Sequence, residues 1–246
     1  MTRMPSGRLS ALALLLACLL VSGGAAHAQT ADRARAAAEI ESLREQIKGR
    51  EAALLAPSDE DRRTYAEFLA RPDTGLVRLL PREKWDGKLS MRGGGSYYSF
   101  TLRTNEYGRS TDIGLEQGQF HAGFAGADFA FMVDLGGVPL ESVSTETEAV
   151  RFMAGFEAPS AEAEARQAGR QFHSARQEGG WSYVRQLPAA PGKTYAVRSI
   201  VYGESDVLVA FRVVRKDDDD SVVLLWKMLE KYPKPSLQRN VAAAEQ

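Results

Sequence analysis

The stretch that decides the fold runs from residue 194 to residue 229: TYAVRSIVYGESDVLVAFRVVRKDDDDSVVLLWKML. Three runs of β-branched, aliphatic and aromatic residues, 194–202, 207–215 and 221–229, are separated by two turn-like gaps. The gaps are Gly203-Glu204-Ser205 and Asp217-Asp218-Asp219-Asp220. Short polar breaks between such runs spell an antiparallel meander. Residues 222–225 are apolar without interruption, which predicts a central strand covered on both faces.

Upstream the same texture persists. Phe129, Phe131, Val133 and Leu135 share one face under a period of two, so 129–135 reads as a strand entered from a turn at Gly126-Ala127-Asp128. Further strands are expected at 89–92 and 97–103, on either side of Gly93-Gly94-Gly95, and at 113–116, 119–124, 148–156 and 181–185. Residues 160–177 read as a helix capped by Ser160. Glu162 and Glu164 lie in its first turn, and Ala161, Ala165, Ala168, Phe172 and Ala175 form an apolar stripe. Gly179-Gly180 stops it.

The N-terminal third has a different pattern. Residues 31–56 form a strong helix candidate in which Ala36, Ile40, Leu43, Ile47, Arg50 and Leu54 follow heptad steps. Such a helix needs a partner, either its own domain or a second chain. Pro57 ends it, and Ser58 caps a short helix to about residue 70, whose buried face is Tyr65, Phe68 and Leu69. Residues 76–85 read as a link broken by Pro81. The expected fold is mainly β with N-terminal helices: an antiparallel β-sandwich or partly open barrel of about nine strands with one inserted helix. The expected layout is a signal peptide at 1–28, a helical N-terminal segment at 29–84, an antiparallel β domain at 85–235 and a flexible tail at 236–246.

The first 28 residues have an export layout. Arg3 and Arg8 precede an apolar run over 9–21, and Ala26-His27-Ala28 offers a small-x-small cleavage site after Ala28. The run is too short to span a bilayer comfortably, so no transmembrane segment is expected after cleavage. A lipid anchor at Cys18 is the minority reading, because Leu19-Leu20-Val21 carry the apolar run past it. Cys18 is the only cysteine, so the cleaved chain has no thiol for disulfides, thiolate catalysis or metal binding. An exported chain without disulfides points to a bacterial periplasm or to secretion from a bacterium. The composition, 44% hydrophobic and 26% charged, argues for a packed core over disorder. Cleavage removes two of 31 basic residues and none of 32 acids, taking the net charge from −1 to −3. That balance gives no basic face for nucleic acid.

Two segments resemble a family of exported bacterial proteins that carries no assigned function: Arg92-Gly93-Gly94-Gly95-Ser96-Tyr97-Tyr98-Ser99-Phe100 and residues 205–215. The resemblance implies export and no particular activity.

Candidate sites are few. The triple glycine fits neither phosphate-loop nor dinucleotide spacing and reads as a tight turn or bulge. Tyr97 and Tyr98 face opposite sides of their strand, so one is core and the other is free to stack on a ligand. Tyr107 and Arg103 complete the binding candidates. For catalysis the candidates are His121 as base with Asp112 and Asp128 as nearby acids, though no nucleophile elbow accompanies them. His121 and His173 lack ligand spacing for a shared metal. Asp217, Asp218, Asp219 and Asp220 are candidate calcium ligands without EF-hand spacing, and read better as a hairpin tip. No cofactor is expected. The leading functional expectation is a non-enzymatic envelope module that binds a protein or envelope component. The alternatives are an envelope hydrolase for glycan or ester and a carrier of small apolar ligands. Homo-oligomerisation through the N-terminal helix remains open.

Overall fold

Residues 9–124 and 126–238 are described by the structure, a computed structural model. The meander forms as its sequence requires. β9 (Thr194–Val201), β10 (Ser205–Lys216) and β11 (Val222–Lys231) pair antiparallel in succession. The 217–221 turn closes with Asp220 N–H on Asp217 O at 2.9 Å and Asp217 N–H on Ser221 O at 2.9 Å. β1 (Thr74–Leu79) adds to the outer edge of β11, and β5 (Phe129–Asp134) adds to β9. The sheet order is therefore β1-β11-β10-β9-β5, with β11 interior but second from the edge.

Both faces of this sheet are covered, which is why its strands read as nearly continuous apolar runs. In β5, Phe129, Phe131 and Val133 join one buried cluster, while Ala130 and Met132 join the other. Leu225 separates in the same way from Val222, Leu224 and Trp226. The first cluster includes helical residues. α6 (Glu162–His173) buries Ala165, Ala168 and Phe172, and Phe172 stacks on Phe131 with ring centroids 3.9 Å apart and planes 7° apart. The second cluster lies against a smaller sheet, ordered β2 (Tyr97–Tyr98), β3 (Ile113–Glu116), β4 (Gln119–Ala122), β8 (Gln186–Pro188). A hairpin of β6 (Arg176–Glu178) and β7 (Trp181–Tyr183) turns at Gly179 and Gly180. Eleven strands among the described residues thus form an antiparallel sandwich with helices outside, and no closed barrel.

Several expectations need correction. The expected strand at 148–156 is the helix α5 (Glu148–Ala154): Ala149, Val150 and Met153 are its buried residues, a helical spacing that aromatic and β-branched content had masked. Ser160 does not cap α6; Ala161 holds that position without a side-chain bond. Residues 89–92 are turns, and the strand expected over 97–103 stops at Tyr98. There the chain folds back: Arg103 has φ 56° and its N–H bonds Ser99 O at 2.8 Å. The link expected at 76–85 contains β1, which ends before Pro81, and the short α4 (Arg82–Trp85). The boundary expected at residue 84 therefore cuts off an edge strand of the main sheet. The first residues of the tail expected from 236 are packed: Leu237 lies against the first cluster, and Gln238 N–H bonds Ser160 O at 2.8 Å. The rest of that tail lies outside the described residues, as do residues 1–8 of the expected signal peptide.

The chain divides into two units, residues 1–51 and 52–246. In the first, α1 (Leu9–Leu55) starts well before the expected residue 31, and Ile40, Leu43 and Ile47 are about half exposed. Among the described residues no helix is long and apolar enough to cross a membrane. In the second unit, α2 (Asp59–Thr64) carries the expected Ser58 cap as a full capping box. Asp61 N–H donates to Ser58 Oγ at 3.1 Å, and Ser58 N–H donates to Asp61 Oδ2 at 3.0 Å. The following α3 (Ala66–Leu69) buries Phe68.

Candidate functional site

The segment from β7 to β8 passes from one sheet to the other. Tyr183 is buried in the first cluster, and its hydroxyl donates to Ala149 O at 2.7 Å. Val184 pairs with Met132 of the main sheet. Arg185 then joins the smaller sheet: its carbonyl accepts the Ala122 N–H at 2.9 Å, and its Nε donates to the Ala122 carbonyl at 3.0 Å. Arg185 is thus held at both its backbone and its side-chain stem where the chain changes sheets.

A cleft of 440 Å³ opens there. Tyr97, Gly114, Glu116, His121, Phe124, Val184 and Gln186 line it from the smaller sheet and its connections, with Arg82 from α4 and His173 from the end of α6. Two glycines make room. A Cβ on Gly114 would meet the Tyr97 ring at 2.8 Å. Gly123, at φ 75°, would place one 2.6 Å from the Ala130 amide nitrogen and 3.3 Å from Arg185 Nε. Tyr97 packs against Tyr107 at 4.7 Å and Phe124 at 5.4 Å between centroids, forming an aromatic wall.

The electrostatics are one-sided. Glu116 is the only carboxylate among the lining residues, and Arg82 Nη1 holds it at 3.2 Å. Arg185 is half-buried and has no ion-pair partner among the described residues. Burial pulls its guanidinium below the usual value, with no opposing carboxylate. His121 Nε2 lies 3.2 Å from the Gln186 amide nitrogen. An adjoining hollow of 380 Å³ shares His173 and Arg185 and adds Arg166, Arg170 and Asp128.

The candidates named from sequence scatter. Tyr97 and His121 reach the cleft. Tyr107 backs its wall and lines a further hollow of 240 Å³ with Arg92, Arg109 and Asp128. Tyr98 is core, and Tyr97 is buried too, packed against Tyr107 and Phe124, so neither ring of the pair stands free as expected. Arg103 sits over the Trp226 ring at 5.2 Å, away from the cleft lining. Asp112 does not approach His121 as a catalytic acid. It is fully buried, its Oδ2 accepts the Phe100 N–H at 2.7 Å, and its Oδ1 meets no donor at full hydrogen-bond geometry among the described residues. Burial pushes its carboxyl up to about 6, against the pull of Ser199 and the amides of Phe100 and Thr101. Asp128 accepts the Tyr202 N–H at 2.9 Å and faces Arg109 at 3.8 Å.

The aspartate tip is a knot of ion pairs. Arg78 Nη2 lies 3.1 Å from Asp217 and 3.2 Å from Asp219, and Arg215 also binds Asp217. Lys84 and Lys216 hold the Asp220 carboxyl down at about 2. Asp217, Asp219 and Asp220 are thus engaged by cations of the chain, Asp218 is not part of the knot, and no group of three or more side chains suited to a metal occurs among the described residues. Gly93, Gly94 and Gly95 all have positive φ and form the expected tight turn. Ala28 lies within α1.

Sequence reasoning missed Arg82, Arg185 and Gln186. The available signal was Arg185 directly after the strand residues Trp181-Ser182-Tyr183-Val184, a position where a strand continuing in one sheet would favour an uncharged residue. No protein-family model, curated protein or solved structure matches the chain.

Proposed function

We propose that this chain is an exported bacterial envelope protein, periplasmic or secreted, that works as a non-enzymatic binding module and takes its ligand in the cleft at the sheet switch. The observation that carries this reading is the cleft itself: a preformed concavity with an aromatic wall and a few converging polar groups, the usual build of a ligand site. The export layout of residues 1–28 supplies the compartment. Binding is favoured over hydrolysis because His121 meets the amide of Gln186, while the two acids suggested for it are engaged elsewhere. An apolar carrier has less support, since the space between the sheets is filled by Tyr98, Phe100, Phe120, Phe211 and Trp226.

The test is thermal unfolding of residues 29–246 against peptidoglycan fragments, envelope glycans, phenyl phosphate, lipids and divalent cations. A ligand at a hundred times its dissociation constant adds about 2.7 kcal/mol, a rise of roughly 5–10 °C for this size. The reading expects a stabilising compound whose effect is lost in Gln186→Trp, which fills the cleft mouth. A stabiliser that acts equally on that variant would place the site elsewhere.

A further inference from the structure

Resting on the cleft reading, we propose that Arg185 anchors an oxyanion site, and that the ligand carries a carboxylate or phosphate on a body that lies against the Tyr97–Phe124 wall. Three observations converge on this class. Arg185 is half-buried, and its Nε is committed to the Ala122 carbonyl at 3.0 Å, which orients the planar fork. Neither terminal nitrogen has a hydrogen-bond partner or a carboxylate among the described residues, and a desolvated guanidinium with open donors is built for two-pronged oxyanion binding.

The surroundings reinforce the choice. His121 and His173 bring two more nitrogen-bearing rings to the same cleft, and Arg82 has neutralised its carboxylate. Across His173 the adjoining hollow adds Arg170, which has no ion pair among the described residues, and Arg166, which Glu162 holds at 2.6 Å. The hollow also holds Asp128, which faces Arg109 at 3.8 Å, so Arg170 and Arg185 are the lining arginines left without an ion pair among the described residues. A ligand without an acceptor would leave the Arg185 donors unanswered inside a partly desolvated site, and a neutral acceptor would answer them more weakly than an oxyanion does. A cation would meet like charge. The shape adds selectivity: Phe124 is half-exposed and, braced edge-on by the buried Tyr97 ring, gives the non-ionic part of the ligand an apolar surface.

Isothermal titration at low salt tests the proposal with phenyl phosphate, benzoate, inorganic phosphate and the neutral phenyl glucoside. Phenyl phosphate or benzoate is expected to bind more tightly than inorganic phosphate, and phenyl glucoside not to compete. Arg185→Gln is expected to weaken the anions at least tenfold. Arg63→Gln, which removes the same charge from an exposed site on α2, is expected to leave them unchanged. Equal loss in both variants, or none in Arg185→Gln, would overturn the site. Should Arg185→Gln fail to fold, the Arg185 Nε–H resonance of the unaltered protein reports directly, and no shift on saturation with phenyl phosphate would have the same meaning. Glycerol phosphate against phosphatidylglycerol vesicles separates a soluble source from a lipid headgroup. Vesicle binding that survives Arg185→Gln would count against the proposal. Phenyl glucoside shifting the amides of Gly114, Gly123 and Gln186 without any anion preference would remove the oxyanion site and leave the cleft reading standing.

Discussion

Val184 and Met132 exchange both backbone hydrogen bonds, Val184 N–H to Met132 O at 3.0 Å and Met132 N–H to Val184 O at 2.7 Å. One residue later the chain is bonded to Ala122 of the other sheet. This single crossing ties the two layers of the sandwich together on one side and sets Arg185 at the joint, so fold stability and site geometry share an element.

Val184→Pro removes one bond of that pair and leaves the Met132 carbonyl without its donor. The expected loss is about 1–3 kcal/mol, the usual cost of an unmade buried hydrogen bond. Urea unfolding measures it. A midpoint equal to that of the parent protein would show that the crossing does not couple the sheets.

Phe172 joins the helical layer to the sheet through its stack on Phe131 and its further contact with Phe129 at 6.1 Å. Phe172→Ala is expected to cost about 3–5 kcal/mol, as large aromatic deletions in cores do. Phe152→Ala, at a half-buried position on α5, is expected to cost less. Denaturation of the two variants side by side checks the order.

Arg198 is the one fully buried guanidinium of the main sheet. It bonds Asp206 at 2.5 and 2.9 Å and Met153 O at 2.8 Å, and its carbon centre lies 3.2 Å from the Tyr232 ring centroid. Arg198→Met strands a buried carboxylate and is expected to cost about 3–5 kcal/mol. The double variant Arg198→Met/Asp206→Leu is expected to recover much of that loss. A double variant no more stable than the single would contradict the view that the stranded charge is the main cost.

Asp112 makes a pH signature. Its folded-state carboxyl sits near 6, above the ordinary 3.8, so between those values the folded state binds more protons than the unfolded state. Its contribution therefore stabilises the fold at low pH and is lost as pH rises through about 6. Asp112→Asn removes the titration. Relative to the parent, the variant is expected to gain stability between pH 4 and pH 7, by up to about 3 kcal/mol for a shift of this size. A difference that does not change with pH would show that the carboxylate is ionised in the fold.

Much of the architecture was legible along the chain. The meander over 194–229, the alternation of Phe129, Phe131 and Val133, and the alanine stripe of α6 each follow from a local period. β1 escaped notice because Pro81 reads as a break and makes 76–85 look like a link. Gly75 is required there, since a Cβ would sit 2.5 Å from the Trp226 ring. α5 was misread because Val150 and Phe152 favour strands in isolation, and burial of Ala149, Val150 and Met153 on one helical face overrides them. The site was legible only in part. Tyr97 and His121 stand out by residue type, but Arg82, His173 and Arg185 come from three separate elements. Arg185 breaks the pattern of the strand it follows, but the sequence does not show that the chain changes sheets there.

The most direct measurement is hydrogen–deuterium exchange of residues 29–246 with and without the panel compound that most raises the unfolding temperature. A cleft ligand predicts slowed exchange in residues 113–124 and 181–188. Protection confined to residues 74–79 and 217–229, at the opposite edge of the main sheet, would contradict the cleft as the binding site.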